Sequence, residues 1–290
     1  MTKTSAKILD GKSLRAGLEE TLRRKISSLK NQHGEYFSPK LATIQIGESK
    51  DIELYFHCLE RLFAKFQIPI TANKFPADAA PLSDVLKIYE DKNVTGILIF
   101  SPIMADEATE KALIYNLPSE KDIEGRKSLK NPLTGVFSPT AKAVMAILKD
   151  HVKELSGKST VVIGHSDLVG KSIALSLLDE NATVTVCHKA TKPADLPAYI
   201  QAADIVVAAA GKPGLIKGEW IKKGGVVIDV GENVVHGKIV GDVEFESASQ
   251  NASAITPVPG GVGPLTSLML VMNLVKLFED KMAHGNHRTS

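Results

Sequence analysis

Cysteine is scarce in this chain. Only Cys58 and Cys187 occur in 290 residues, and they stand far apart with no metal-ligand spacing around them. A disulfide scaffold and a zinc-type site are therefore both unexpected, and a reducing, cytoplasmic setting is the expectation. A charge bias is also missing. The net charge is +2, too small to draw the protein toward nucleic acid or a membrane surface. No apolar run approaches the ~18 residues of a membrane span. The opening MTKTSAK has no apolar core of a signal peptide, and there is no internal repeat or low-complexity tract. What remains is an ordinary globular balance, 43% hydrophobic and 23% charged, in a length that suits about two domains.

The most informative stretch runs from Thr160 to Lys189. A short apolar run, Thr160 to Ile163, leads into the turn Gly164-His165-Ser166-Asp167-Leu168-Val169-Gly170. Apolar residues at helical spacing follow (Val169, Ile173, Leu177), and a second β-rich run spans Ala182 to Cys187. Strand, glycine turn, helix, strand is a βαβ unit. Its first turn aims backbone N–H groups and a helix start at one spot, which suits a phosphate. Gly164 permits the tight turn and Gly170 lets the helix pack close to the strand. Ser166 occupies the middle glycine position of the usual G-x-G-x-x-G, so the fingerprint is partial.

Elsewhere, strands alternate with helical patterns, which predicts a parallel sheet. Ile8 to Lys12 reads as a short strand and turn, with a helix from Ser13 capped by that serine. Leu41 to Ile46 reads as a strand. The helix after it is expected to carry Leu54, Cys58, Leu62 and Phe66 on its apolar face, with Tyr55, Leu59 and Arg61 on others. Pro69 to Phe75 reads as a strand and Pro81 to Asp91 as a helix. Gly96 to Phe100 is a continuous apolar run, read as a buried parallel strand. Lys121 to Ala141 reads as irregular, and Ala143 to Leu155 as a helix leading into a second domain. Leu265 to Phe278 reads as the final helix, with a disordered tail after Glu279. Four glycine-bearing loops follow predicted strands, after Ile163, Ala210, Val230 and Ile255. Ligands of open parallel sheets bind at such strand ends.

These residues carry a family resemblance. ILDGK (from Ile8), VVIGHSDLVGK, TVTVCHKAT (from Thr183), ADIVVAAAGKPGLI (from Ala203), VVIDVGEN (from Val226), GDVEFE (from Gly241) and ITPVPGGVGPLT (from Ile255) resemble the bifunctional methylenetetrahydrofolate dehydrogenase/cyclohydrolases. The likeness spans about Ile8 to Phe278 and is far more specific in the second half. It implies an α/β fold with two domains around a cleft: a smaller substrate domain at 1–142, a Rossmann-like parallel sheet for NAD(P) at 143–265, and a last helix at 266–282 packing back on the first domain. It implies a homodimer, and as reactions hydride transfer from methylenetetrahydrofolate and hydrolysis of the methenyl product. Cofactor contacts are implied for Gly164, His165, Ser166, Val169, Gly170, His188, Lys189, Gly211, Lys212, Pro213, Asp229, Gly231, Gly263 and Thr266. Relatives often carry an Arg where His165 stands and a small polar residue where Lys189 stands. Lys189 as a point charge for a 2′-phosphate favours NADP over NAD.

The departures fall on the substrate side. The family pairs a Tyr with a Lys four residues later, one helical turn apart and on one face. Here Tyr55 is followed by Leu59. The Gln that bonds that Lys is replaced by Phe100. The Asp-Val-Asp-Gly motif, whose second Asp grips the pterin, becomes Asp122-Ile123-Glu124-Gly125. Tyr55, Asp122, Glu124, Pro259, Gly260 and Gly261 remain the implied substrate contacts, with Tyr55 the remaining catalytic position. A Leu beside a Phe is expected to form an apolar pair that closes the polar slot. Arg61 points ~200° away from Leu59 and Lys65 lies roughly 15 Å along the helix. Arg126 stands where relatives are apolar and faces either the cleft or local packing; its permanent charge makes it a poor proton carrier. Losing a positioned proton-transfer group costs about 10²–10⁴ in rate. The resemblance with these departures predicts lost cyclohydrolase activity and weak or lost dehydrogenase activity. A silent regulatory paralogue and an oxidoreductase acting on a non-folate small molecule are the alternatives.

Overall fold

A computed structural model of the chain describes residues 6–77, 82–127 and 136–285, with side chains to residue 283. The expected helix start at Pro81 and part of the expected irregular stretch lie outside the described residues. In chain order the elements are β1 (Lys7–Ile8), α1 (Gly11–His33), β2 (Leu41–Ile46), α2 (Lys50–Ala64), β3 (Ile70–Phe75), α3 (Leu82–Glu90), β4 (Gly96–Ile99), α4 (Glu107–Asn116), α5 (Pro139–His151), β5 (Ser159–Ile163), α6 (Ser172–Asp179), β6 (Thr183–Cys187), α7 (Leu196–Ala202), β7 (Ile205–Ala208), β8 (Val226–Asp229), β9 (Asn233–Val235), β10 (Lys238–Val240), α8 (Phe245–Ala248), β11 (Ala254–Ile255) and α9 (Gly263–Gly285). The chain forms two compact units, one of residues 1–18 with 138–269 and one of 19–137 with 270–290. The division falls within α1 and within α9.

The first unit is built on a six-stranded sheet of order β1-β11-β8-β7-β5-β6, parallel at every pairing. Its central strands are β-branched and apolar and are buried on both faces, as a parallel sheet covered by helices requires. One face packs Val161, Val206, Val227 and Ile255 against Ile200 and Ile216. A parallel sheet places all its carboxyl ends on one edge, so the loops after β5, β6, β7, β8 and β11 emerge together. The opening ILDGK packs within this unit. Leu9 N–H donates to Ile255 O and Gly11 N–H to Gly260 O. A Cβ on Gly11 would lie 1.8 Å from Gly261 O, so only glycine fits there.

The second unit holds a parallel sheet of order β3-β2-β4. One face buries Ala42, Ile44, Ile46, Ile97 and Ile99 against Val85, Tyr89, Leu113 and Leu117. On the other side, a Cβ on Gly96 would lie 2.5 Å from Leu274 Cδ1 of α9. Asn273, fully buried, ties that helix to the unit by donating to Ile123 O and Phe137 O.

Four sequence expectations change. Asp10, not Ser13, caps α1: its carboxylate accepts from Lys12 N–H at 3.0 Å and Ser13 Oγ–H at 2.9 Å, which leaves Ser13 inside the first turn. The buried face of α2 is Ile52, Leu59, Leu62 and Phe63, while Leu54 and Cys58 are exposed. Both stripes have helical spacing, and the sheet selects the one whose members sit beneath it. Helix α5 starts at Pro139, with Ser138 as its cap accepting from Ala141 N–H, because proline at the first position is pre-set for a helix. Helix α9 continues past Glu279 to Gly285.

Two glycines separate backbone crowding from simple propensity. A Cβ on Gly170 would sit 2.1 Å from Gly164 O, whereas one on Gly17, inside α1, meets nothing within 4 Å. Gly170→Ala should lower unfolding free energy by about 1–3 kcal/mol, and Gly17→Ala should raise it by about 0.5–1 kcal/mol. Urea unfolding of both variants checks this; a neutral Gly170→Ala would refute the close approach.

Candidate functional site

Two groups of residues stand out, one in each unit. In the first unit, the turn after β5 is forced by contact. Gly164 has φ +124, and a Cβ there would lie 2.0 Å from Ala209 O. The turn and the end of β7 therefore touch backbone to backbone. The Asp167–Lys171 segment forms a π-helical turn that runs into α6, so the helix opens one turn wider than expected. His165 and Ser166 are exposed above it. At the end of β6, His188 and Lys189 are exposed as well. The His165 and His188 rings lie 4.9 Å apart, tilted by 39°. A glycine cradle that any side chain would fill, exposed polar side chains beside it and a helix start form the donor set a dinucleotide phosphate needs. The residues present thus fit an NAD(P) cofactor.

The loop after β7 is held by a residue with no role assigned from the sequence. Asp242 is fully buried. Its Oδ2 accepts from Ala210 N–H at 2.6 Å and Gly211 N–H at 2.9 Å. Its Oδ1 accepts from Lys212 N–H at 2.8 Å and Asn233 Nδ2 at 2.9 Å. Asp242 thus fixes the backbone of Gly211, Lys212 and Pro213 without reaching any ligand. The glycine before it in GDVEFE marks the spot: a Cβ on Gly241 would lie 1.9 Å from Asp229 Oδ2.

The carboxylate of Asp229 is engaged by its own turn. Its side chain is buried and turns inward, accepting from Gly231 N–H, Asp242 N–H and Val243 N–H at 2.9, 3.1 and 2.9 Å. Burial pushes its carboxyl up to about 6, against the pull of those three bonds. Asp229 therefore shapes the turn and offers no free carboxylate to a cofactor. Thr266 directs its hydroxyl to Val262 O at 3.4 Å, just ahead of its own helix. Gly263 lies against the Glu232 side chain: a Cβ would meet its Oε1 at 2.4 Å. Val169 lies half-buried in the π-turn. Pro259, Gly260 and Gly261 lie on the loop after β11, where Gly261 N–H donates to Pro257 O.

In the second unit, Tyr55 sits on α2 at 36% exposure, at the rim. Its ring meets Phe100 edge to face at 6.0 Å, and Phe56 meets Phe100 at 6.4 Å. Leu59 has no exposed surface and Phe100 has 4%. The end of β4 is thus aromatic and apolar. Burying Leu59 contributes about 1.5–3 kcal/mol. An ammonium at the same point would have to lose its water, at a cost of several kcal/mol unless paired.

The missing cation has a counterpart on another segment. Arg126 is buried, with 8% of its side chain exposed. Its Nε donates to Glu124 Oε2 at 2.8 Å, and Nη2 donates to Ile99 O at 2.8 Å and Ser101 Oγ at 3.1 Å. The guanidinium therefore brackets Phe100, bonding the residue on each side of it. Of the two settings open to Arg126 in the sequence, local packing at the end of β4 is the one observed. Burial raises the Glu124 carboxyl, and the charge of Arg126 opposes that rise. Asp122 is buried and also raised by burial, opposed first by the N–H of Lys127, which lies 2.8 Å from Oδ2. Asp122 Oδ1 has no partner among the described residues. The loop sequence gave no sign that Arg126 would turn back onto β4, since it separates the two by 27 positions.

A parallel sheet with a glycine-turned first crossover, joined to a second parallel α/β unit, defines a Rossmann-type nucleotide-binding protein. Comparison narrows the class. Residues 138–282 match the tetrahydrofolate dehydrogenase/cyclohydrolase NAD(P)-binding domain, and residues 9–124 match the catalytic domain of the same family. The bifunctional protein FolD of Geotalea daltonii is 42% identical over 93% of this chain and 98% of its own length. The mitochondrial C-1-tetrahydrofolate synthase of Schizosaccharomyces pombe is 40% identical over 94% of this chain, which spans only 29% of that longer protein. The Trypanosoma brucei methylenetetrahydrofolate dehydrogenase-cyclohydrolase, solved with NADP and an inhibitor, superposes with a TM-score of 0.87 at 33% identity, covering 96% of this chain and 99% of the other. The chain belongs to the tetrahydrofolate dehydrogenase/cyclohydrolase family.

Two substitutions test the site's construction. Asp242→Asn turns an acceptor into a donor facing N–H groups, and each buried donor left unpaired costs about 1–3 kcal/mol. A drop of roughly 2–4 kcal/mol in denaturant unfolding is expected, with faster amide exchange at Gly211 and Lys212; unchanged exchange there would refute the role. Arg126→Met leaves Glu124 buried without its cation and should cost about 3 kcal/mol at pH 8. Glu124 then holds its proton more readily, so the deficit should shrink as pH falls toward 5. A deficit that does not vary with pH would show that the pair is not coupled.

Proposed function

We propose that this chain is an NADP-binding member of its family that has lost cyclohydrolase activity and carries at most weak methylenetetrahydrofolate dehydrogenase activity. The observation that carries this is Leu59, wholly buried and beside a helical turn from Tyr55. Leucine neither titrates nor donates a hydrogen bond, and a positioned proton-transfer group contributes about 10²–10⁴ in rate. The site at the end of β4 holds Tyr55, Phe100, Glu124 and Arg126, and of these the guanidinium stays charged throughout the working pH range.

The dinucleotide half supports retained cofactor binding. NAD(P), when bound, accepts the hydride. The protein's own part is to orient it through the Gly164 turn and the loops fixed by Asp242 and Asp229. Hydride transfer relies on positioning and electrostatics more than on a proton carrier, so this step tolerates the loss of a lysine better than hydrolysis does. The lean to NADP rests on Lys189 and His165 and on the absence of a carboxylate beside His188. The homodimer and a cytoplasmic location belong to the same proposal and rest on the resemblance.

A second reading is favoured by the Glu124–Arg126 pair. A carboxylate one methylene longer than the family's, clamped by an Arg, changes the shape and polarity offered to a pterin. That suits an oxidoreductase for another small molecule or a binding protein without turnover. The test is purification of the chain followed by assays of methylenetetrahydrofolate oxidation and methenyltetrahydrofolate hydrolysis. Hydrolysis at least 100-fold below a FolD control is expected, and control-like hydrolysis refutes the proposal. Leu59→Lys with Phe100→Gln should restore hydrolysis in part; a folded but inactive double variant, with NADP still bound, points to a different substrate.

A further inference from the structure

We propose that the amino-terminal edge of the first unit's sheet holds a second ligand site, a small pocket that takes a phosphate dianion carried on a short apolar stem. It lies at the opposite end of the strands from the glycine-bearing loops and does not depend on the dinucleotide reading of them. Strand β7 is four residues long, so about 13 Å separates the two edges at ~3.3 Å per residue.

Strand register makes the pocket. Thr160 on β5, Ile205 on β7 and Val226 on β8 stand side by side, so the residues just before them emerge level with one another. Backbone ties fix them there. Asp204 N–H donates to Ser159 O at 2.7 Å, Val226 N–H to Asp204 O at 2.9 Å, and Ser159 N–H to Asp204 Oδ2 at 3.1 Å. The chain enters β8 through the turn Lys222-Lys223-Gly224-Gly225. Gly224 has φ +82, a conformation that glycine adopts without steric cost, and Gly225 N–H donates to Lys222 O at 2.8 Å. A Cβ on Gly224 would meet nothing within 4 Å, so the mouth is open on that side. The cavity measures about 170 Å³, smaller than the ~300–1,000 Å³ of a drug-sized ligand site.

The lining has two characters. Val152, Ile205 and Val226 supply an apolar floor, and the last two are buried. Lys158, Lys222 and Lys223 supply the rim, with Asp204 as its acid. Asp204 is already engaged. Its Oδ1 accepts from Lys222 Nζ at 2.6 Å and its Oδ2 from Ser159 N–H, and these bonds hold its carboxyl below the usual range. The Asp204–Lys222 pair therefore carries no net charge. The ammonium groups of Lys158 and Lys223 have no ion pair among the described residues, so the rim keeps two positive charges. Lys158 also acts on Asp204 through its charge, which places it in electrostatic range of the same carboxylate.

Two uncommitted ammonium groups match a phosphate monoester, which carries about −1.5 to −2 charge at neutral pH. A single carboxylate would leave one lysine unmatched. Lysine meets phosphate as a point charge and needs no fixed fork geometry, which suits exposed side chains at a pocket mouth. The floor beneath has side chains without polar atoms, so it receives carbon in preference to a second anion.

The experiment follows amide chemical shifts by NMR and heats of titration for the full chain at pH 8, with sodium phosphate and with propyl phosphate. Both ligands should move the Gly224 and Gly225 amides. Propyl phosphate should bind at least about fourfold tighter, the effect of burying one methylene. Lys158→Gln with Lys223→Gln, both at exposed positions, should weaken propyl phosphate binding by about tenfold or more with thermal unfolding unchanged. Asp204→Asn keeps an acceptor for Ser159 N–H and releases Lys222, so it should bind propyl phosphate more tightly. Shifts confined to Gly164 and Gly170, or a double variant that binds as the unsubstituted chain does, would overturn the site. Equal affinity for the two ligands would overturn the apolar half of the proposal.

Discussion

The first unit depends on one close approach: the turn after β5 lies directly against the end of β7. A side chain on Gly164 would lie 2.0 Å from Ala209 O, and one on Gly170 would lie 2.1 Å from Gly164 O. No rotamer relieves such a clash, because the obstructing atoms are backbone. The strand, the turn, the helix and the neighbouring strand end are therefore locked as one body. The loops that follow β7, β8 and β11 are positioned from it. Asp242 then holds the β7 loop by three backbone N–H groups, and Asp229 holds the β8 turn and Asp242's own backbone by three more. Two buried carboxylates thus serve as scaffolding for a surface whose contacts to a ligand come from main chain and exposed side chains.

That organisation explains what was legible in the sequence. Backbone requirements leave glycines and alternating apolar runs, so the βαβ unit, the parallel order and the loop edge were readable at Thr160 to Lys189. The errors fell where two patterns of equal spacing competed. On α2, Leu54-Cys58-Leu62 and Ile52-Leu59-Leu62-Phe63 are both helical stripes, and only the sheet beneath decides between them. At α1, Asp10 and Ser13 are both good caps, and the helix begins one turn earlier than the serine suggests. The packing of residues 6–18 in the first unit was illegible for another reason: β1 pairs with β11 almost 250 positions away, a contact that no local pattern carries. Asp242 was hidden because a buried carboxylate that bonds backbone looks, in sequence, like any surface acid. Asp229 adds a converse point, since the carboxylate of this motif residue builds the turn.

The two units differ in what a substitution does to them. In the first, the ligand surface is made by chain geometry, which many side chains tolerate. In the second, the proposed chemistry sits on individual side chains, where a single change weighs more. Leu59 and Phe100 are both apolar and buried. A polar side chain at either point would need a partner, since a buried polar group left unpaired costs about 1–3 kcal/mol.

On the proposed reading, the charge of Arg126 is no substitute for a proton carrier. A proton carrier must exist in two protonation states near neutral pH and must swing between donor and acceptor. Arg126 does neither: its guanidinium keeps its charge, and three of its hydrogen bonds are taken by Glu124, Ile99 and Ser101. What a fixed, buried cation can do is keep a neighbouring carboxylate ionised and aimed. Glu124 is that carboxylate: burial raises its carboxyl, and the charge of Arg126 opposes the rise. On the reading proposed above, this site holds an acceptor in place where relatives carry a group that moves protons. Holding an acceptor in place is the chemistry of recognition, and it remains compatible with hydride transfer between a cofactor and whatever donor that acceptor grips.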